Sequence, residues 1–278
     1  MNCFFCFMSY ALSLFRGVGG PMGYADLHIH SLHSFDGTAS ISAILKYIST
    51  FTDLNILAIT DHDTLAGVTE AVELAPKYNL QVIPGCEVST RDGHVLCLFV
   101  DHLIKSGLSL LETVMQAGDQ GGLCIAAHPQ AKGVKSLHFS TIAETLKNKD
   151  AAKLLVGIEA FNAGLIMTRG NPLNQKLAGG FPLAQLGGSD AHLLKMIGQG
   201  SIWYEGNTIR ELKNAIMNHT TIPRRGHGLS TATVVTSYIP AILLKLLGWV
   251  SWNAAPDAPI RLTNWMKVRM MKTTIESF

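Results

Sequence analysis

Seven short apolar, β-branched runs punctuate the chain, at 24–29, 55–60, 80–84, 94–100, 123–127, 155–160 and 182–187. Segments with helical spacing of apolar residues fall between most of them, near 41–52, 65–77, 108–120, 140–149 and 169–178, with another at 207–219. Strands that alternate with helices predict parallel β/α units. Seven such runs predict an α/β fold of the barrel kind, with a closed or nearly closed sheet. No internal repeat and no low-complexity stretch interrupts the pattern.

The two ends break it. Residues 1–22 are apolar, but the run is too short to span a bilayer. Its single basic residue, Arg16, follows the run instead of preceding it as in a secretory leader. Residues 231–252 form the longest apolar stretch, interrupted by Pro240 and Lys245. Core packing, an interfacial helix and a poor membrane span are all open for it. Residues 253–278 then set Arg261, Lys267, Arg269 and Lys272 among Trp265 and several Met, a basic amphipathic pattern. The chain thus divides into an N-terminal extension (1–22), a central domain (23–230) and a hydrophobic, basic tail (231–278). Packing on the domain and peripheral membrane contact are both open for the tail.

Composition narrows the function. Charged residues are 15% of the chain and hydrophobic ones 47%, where about 25% charged is usual. That excludes a disordered chain. The central segment carries sixteen basic against eighteen acidic residues, and the tail five against two. A slightly acidic centre excludes a long nucleic-acid groove. Five Cys, an odd number in a long chain, are no disulfide framework. Cys86, Cys97 and Cys124 lie in apolar runs, as buried free thiols do, which predicts a reducing, cytoplasmic setting.

Against few charges stand 11 His, and six of them gather with carboxylates where the apolar runs begin or end. Asp26-Leu27-His28-Ile29-His30 closes the first run, with Asp36 six residues on. Asp61-His62-Asp63 closes the second. Glu87 follows the third, His94 opens the fourth, His128 ends the fifth, Asn162 follows the sixth, and Asp190 and His192 follow the seventh. In β/α barrels the C-terminal strand ends carry the active site. Residues i and i+2 of a strand share a face, so His28 and His30 can grip one ion. Carboxylates at apolar strand ends are rare unless paired or metal-bound. Asp36 also reads as a turn residue before Gly37.

The set DLHIHS (26–31), ITDHDT (59–64), GCEVS (85–89), AHP (127–129) and GSDAH (188–192) resembles the PHP family, named for polymerase and histidinol phosphatase domains. The resemblance covers about residues 24–227. It implies a distorted seven-stranded β/α barrel with a multinuclear metal centre and phosphoester hydrolysis. By motif, His28, His30, Glu87 and Asp190 would hold a first metal. Glu87 would bridge to a second, completed by His94 and His128. Asp36, His62 and His192 would hold a third. The donors, imidazole and carboxylate without thiolate, suit two or three ions of Mn, Zn or Fe.

Such a centre attracts a phosphate and activates water as a metal-bridged hydroxide for attack on phosphorus. Asp190 is the expected proton acceptor. Asp61 is a second candidate for proton transfer, or else orients a ligand imidazole. Arg169, Lys132 and Asn162 are the expected substrate contacts, with Arg91 a further phosphate clamp. The 33 residues between His94 and His128 leave no room for an inserted cap, so the expected pocket is open. The expected substrate is a small phosphorylated molecule or a short nucleotide. A histidinol-phosphatase-like activity and a non-catalytic scaffold at a membrane are the alternatives.

Overall fold

All seven runs form strands, and two further strands join them. The computed structural model describes residues 20–164, 171–226 and 229–247. Arg169, most of the N-terminal extension and the tail beyond residue 247 lie outside these described residues. The strands are β1 (Met22–Ile29), β2 (Ile56–Ile59), β3 (Gln81–Ser89), β4 (His94–Leu98), β5 (Leu123–Ala126), β6 (Leu155–Asn162), β7 (Ala184–Gly188), β8 (Gly200–Glu205) and β9 (Ile222–Arg225). The helices are α1 (Ile41–Phe51), α2 (Val68–Leu74), α3 (Leu110–Gly118), α4 (Phe139–Thr145), α5 (Ala151–Leu154), α6 (Asn171–Ala178), α7 (Ile209–Met217) and α8 (Thr231–Leu246). Local chemistry sets several helix starts. Ser40 caps α1, and Ser109 with Glu112 and Thr208 with Glu211 form capping boxes on α3 and α7.

A single sheet runs in the order β7-β6-β5-β4-β3-β2-β1-β8-β9. It curls until its ends meet. Thr221, just before β9, donates to the Gln185 carbonyl of β7 at 3.0 Å. At the C-terminal rim, His30 N donates to Ala191 O (3.0 Å) and Ala191 N to His28 O (3.2 Å). The barrel-like fold expected from the alternating pattern is therefore observed, with nine strands among the described residues instead of seven. The expectation of parallel units throughout is corrected. β1-β2-β3 and β5-β6-β7 are parallel, but β4 is antiparallel to both β3 and β5. Only residues 90–93 join β3 to β4, and a parallel crossover needs a dozen or more.

Bulges aim the strand ends. In β1, Asp26 pairs with Leu57 and Ile29 with Ile59, so three steps on one strand match two on the other. The extra residue switches faces. Ala25 and Leu27 pack with Ala58, Leu96, Ile125 and Leu186, whereas Ile29 packs outward with Ile41, Ile44 and Ile48 of α1. His28 and His30, on either side of Ile29, turn into the barrel mouth. A second bulge lies in β6 between Glu159 and Phe161. Among the described residues the core falls into three buried clusters, and Cys86, Cys97 and Cys124 lie in one of them as free thiols.

The start of the tail, residues 231–246, is one helix, α8, and among the described residues no helix is long and apolar enough to cross a membrane. Lys245 and Tyr238 of this helix bond to backbone carbonyls in the 34–37 loop.

Candidate metal centre

The strand ends bring all nine expected ligands together. Glu87, at the C-terminal end of β3 and 1% exposed, stands in the middle. Its Oε2 lies 3.1 Å from His28 Nε2, 3.3 Å from His30 Nε2 and 3.3 Å from His62 Nδ1. Its Oε1 lies 3.1 Å from His94 Nδ1 and 3.0 Å from His128 Nε2. One carboxylate thus faces two sets of imidazoles, as a bridging ligand must. Asp190 Oδ1 sits 3.4 Å from His28 Nε2 and 3.3 Å from His30 Nε2. Asp36 Oδ2 sits 2.9 Å from His192 Nε2 and 3.5 Å from His62 Nε2. His30, Asp36, His62 and His192 form a ligand cluster whose donor atoms lie within 4.8 Å of one another, so His30 stands between the first and third expected positions.

The donors fit divalent ions. Both ring nitrogens of His30, Nδ1 of His62 and Nδ1 of His94 are buried without a hydrogen-bond partner among the described residues. Buried polar atoms are rarely left so, and His30 Nε2, His62 Nδ1 and His94 Nδ1 face Glu87 at 3.1 to 3.3 Å, close enough to share a cation. Electrostatics agree. Burial opposes charge on His30, but Asp190 and Glu87 outweigh it and push its pKa up to about 10. Burial likewise opposes charge on His28, yet Glu159, Glu87 and Asp190 hold it well above the usual imidazole range. Burial acts to raise Asp36, Glu87 and Asp190, but the surrounding imidazoles hold all three carboxyls below their ordinary values. The carboxylates demand positive charge inside the cluster. Two of the expected ligands also adopt backbone conformations that L-residues seldom take, His128 at φ 26° and Asp190 at φ 50°. Such strain concentrates at functional sites.

The chain belongs to the PHP domain family. The family's profile matches residues 26–207, which spans every ligand named above. An uncharacterised protein of Methanocaldococcus jannaschii is 34% identical over 149 residues, 50% of this chain and 81% of that one. A phosphoribosyl 1,2-cyclic phosphate 1,2-diphosphodiesterase of Eggerthella lenta is 42% identical over 67 residues, 24% of this chain and 25% of that one. Among solved structures, a two-domain Bacteroides vulgatus protein containing a predicted PHP-like metal-dependent phosphoesterase superposes with a TM-score of 0.58 at 18% identity. The match covers 74% of this chain and 65% of that one, and it shows the shared fold.

Other expected residues of this PHP domain take different places. Asp61 stays out of the cluster. Its two carboxylate oxygens accept from Ser31 N (2.5 Å) and Ser31 Oγ (2.6 Å), which fixes the turn after His30. Asn162 is buried, with its amide donating to Glu159 Oε2 (2.8 Å) and its oxygen accepting from Gly164 N (2.7 Å). Both side chains are engaged by hydrogen bonds within the protein. Lys132 lines a cleft of about 590 Å³ together with Arg91, Lys135 and His138. The cleft lies between the loop that precedes His94 and the segment that follows His128, and Ser136 on its wall donates to the His128 carbonyl at 2.6 Å.

Glu159 escaped the sequence reading, and Asp26 was named there without a role. Glu159, in the middle of an otherwise apolar strand, accepts from His28 Nδ1 (2.8 Å) and from His128 N (2.8 Å). With Nδ1 donating to Glu159, His28 presents Nε2 to the space between Glu87 and Asp190, where it would bind an ion. Asp26 accepts from Ser189 N (3.2 Å) and Gly198 N (2.9 Å). It ties β1 to the segments after β7, although burial pushes its carboxyl up to about 6. The available signal was a lone carboxylate in a run of apolar residues.

Proposed function

We propose that this PHP domain is a divalent-metal-dependent phosphoesterase acting on a phosphomonoester or phosphodiester of a small molecule or short nucleotide. The observation that carries the reading is Glu87, buried and faced by imidazoles on both oxygens. Divalent ions held there would polarise a phosphoryl oxygen and lower the pKa of a water. The chain's own residues do the rest. His28, His30, His62, His94, His128 and His192 fix the geometry, with Glu159 orienting two of them. Asp190, at the rim and next to His28 and His30, accepts the proton of the water that attacks phosphorus, and the ester oxygen departs with the P–O bonding pair and takes up a proton from Asp190 or solvent. Arg91, Lys132 and Lys135 give the neighbouring cleft a positive lining suited to a second anionic group of the substrate. The name of the Eggerthella lenta relative, a cyclic-phosphate diphosphodiesterase, supports phosphoester chemistry on this scaffold. The scaffold alternative loses ground because no ligand position is missing.

Purified protein with Mn²⁺ is expected to hydrolyse a chromogenic phosphoester, and a chelator to stop it. His28→Ala combined with Glu87→Ala should remove turnover and bound metal together. Turnover preserved in that double variant would sink the proposal.

We further propose that the outer face of α8 rests on an anionic lipid surface. Val235, Ile239, Leu243 and Leu246 fall at helical spacing and are each about half exposed or more. The sequence that follows carries a net positive charge. An apolar stripe beside basic residues suits a headgroup boundary. The full chain should sediment with vesicles of phosphatidylcholine and phosphatidylglycerol. Ile239→Asp with Leu243→Asp should cut the pelleted fraction severalfold, and unchanged sedimentation would refute the contact.

A further inference from the structure

Asp36 differs from the other ligands in its support. The rest sit on strands or within four residues of a strand end, whereas Asp36 lies in the loop between β1 and α1, seven residues past Ile29. Within the loop, Ser34 Oγ donates to Asp36 Oδ1 (2.6 Å), and Leu32 N donates to Ala39 O (2.8 Å). Gly37 packs so tightly that a Cβ there would meet Ser31 O at 1.9 Å. These bonds shape the loop. Two bonds also tie it to the other ligand segments: Thr38 Oγ1 donates to the His192 carbonyl (2.5 Å) and His62 N donates to Ser34 Oγ (3.3 Å).

A further hold, on the loop backbone on both sides of Asp36, comes from α8. Lys245 Nζ donates to the carbonyls of Ser34 and Gly37, the second at 2.7 Å. Tyr238 OH donates to the carbonyl of Asp36 itself at 3.3 Å. The Tyr238 ring meets His192 edge-on, with centroids 6.1 Å apart. Residues 238 and 245 are seven apart, about two helical turns, so they share one face of α8. Lys245 is 7% exposed. A buried ammonium is costly without acceptors, and loop carbonyls on both sides of Asp36 supply them.

We propose that Lys245 and Tyr238 are positioning residues for the third metal position, holding the loop so that the Asp36 carboxylate meets His62 and His192. The inference rests on the ligand roles of those three residues. Neither Lys245 nor Tyr238 touches a reacting atom. Their effect is selective, because the positions around Glu87 are built from strand ends that α8 does not hold.

The test uses the full chain and counts ions. Protein dialysed against graded Mn²⁺ is assayed for bound metal, and the wild type should fill three sites. Lys245→Met with Tyr238→Phe should weaken the site that depends on Asp36 by about 10- to 100-fold, the usual effect of losing a residue that orients a ligand, and leave two sites unchanged. Lys245→Arg, which keeps a donor, should restore much of the loss. Ile239→Asp, on the outer face, should leave all sites as they are. Melting temperature reports whether each variant is folded. Equal weakening of every site, or no weakening of any, overturns the positioning role. Asp36→Asn separates the two layers of the argument. If it too leaves all sites unchanged, the ligand reading is what fails, and the inference fails with it.

Discussion

Glu159 shows how much of the centre is decided by a side chain that is not itself an expected ligand. It fixes the proton on His28 and holds the backbone of His128, which sits in the strained left-handed region. Glu159→Gln keeps the size but puts an amide donor against another donor. We expect metal affinity to fall about 10- to 100-fold with the fold intact, measured by Mn²⁺ titration alongside circular dichroism. Unchanged affinity would remove Glu159 from the account. At this scale the sequence was generous about ligands and silent about their supports. His and acidic residues at strand ends stand out against apolar neighbours. Glu159, Asp61 and Asn162 could not be sorted into ligand, support or substrate contact, because that depends on which hydrogen bonds already engage each oxygen.

At the scale of elements, the sheet closes by close approach of backbone to backbone. A Cβ on Gly200 would stand 2.0 Å from Gly188 O, and one on Gly187 2.3 Å from Ser201 O. β7 and β8 can lie this near only as glycine. Gly200→Ala is expected to destabilise the domain by about 2 kcal/mol or more, as overpacking at a tight site does, and thermal unfolding would measure it. An unshifted melting temperature would mean the closure is looser than described. The seven buried strands were legible because each is a run of apolar residues on both faces. β9, Ile-Pro-Arg-Arg and mostly exposed, has neither alternation nor an apolar run. The reversal of β4 was hidden for another reason. Pro84-Gly85 looks like the end of a strand, yet β3 continues through Glu87 to Ser89, and that continuation leaves too few residues for a crossover.

For the whole molecule, the cluster couples metal to stability. Carboxylates and imidazoles packed at the barrel mouth repel their own kind once a bridging cation is gone. Metal present at about 1,000 times its dissociation constant stabilises the fold by about 4 kcal/mol, so a chelator should lower the melting temperature clearly. Binding must also displace protons, because the cluster holds His30 protonated up to about pH 10. Protonated imidazole competes with metal, so apparent affinity should rise as pH increases and fall as it decreases. Calorimetry in buffers of different ionisation enthalpy would count the protons released, and a pH-independent affinity would contradict the charge pattern.

The bonds that close the barrel rim have a consequence in time. Ser189 donates to His28 O across 161 residues of chain, and Ala191 bonds on both sides of Ile29 in the same place. During synthesis His28 and His30 emerge early, and their bonds to residues 189–191 wait until nearly 200 residues have been made. The position that includes Asp190 is therefore completed late, only after residues 189–191 have reached His28 and His30, and a nascent chain stalled before Gly188 would present those two histidines without it.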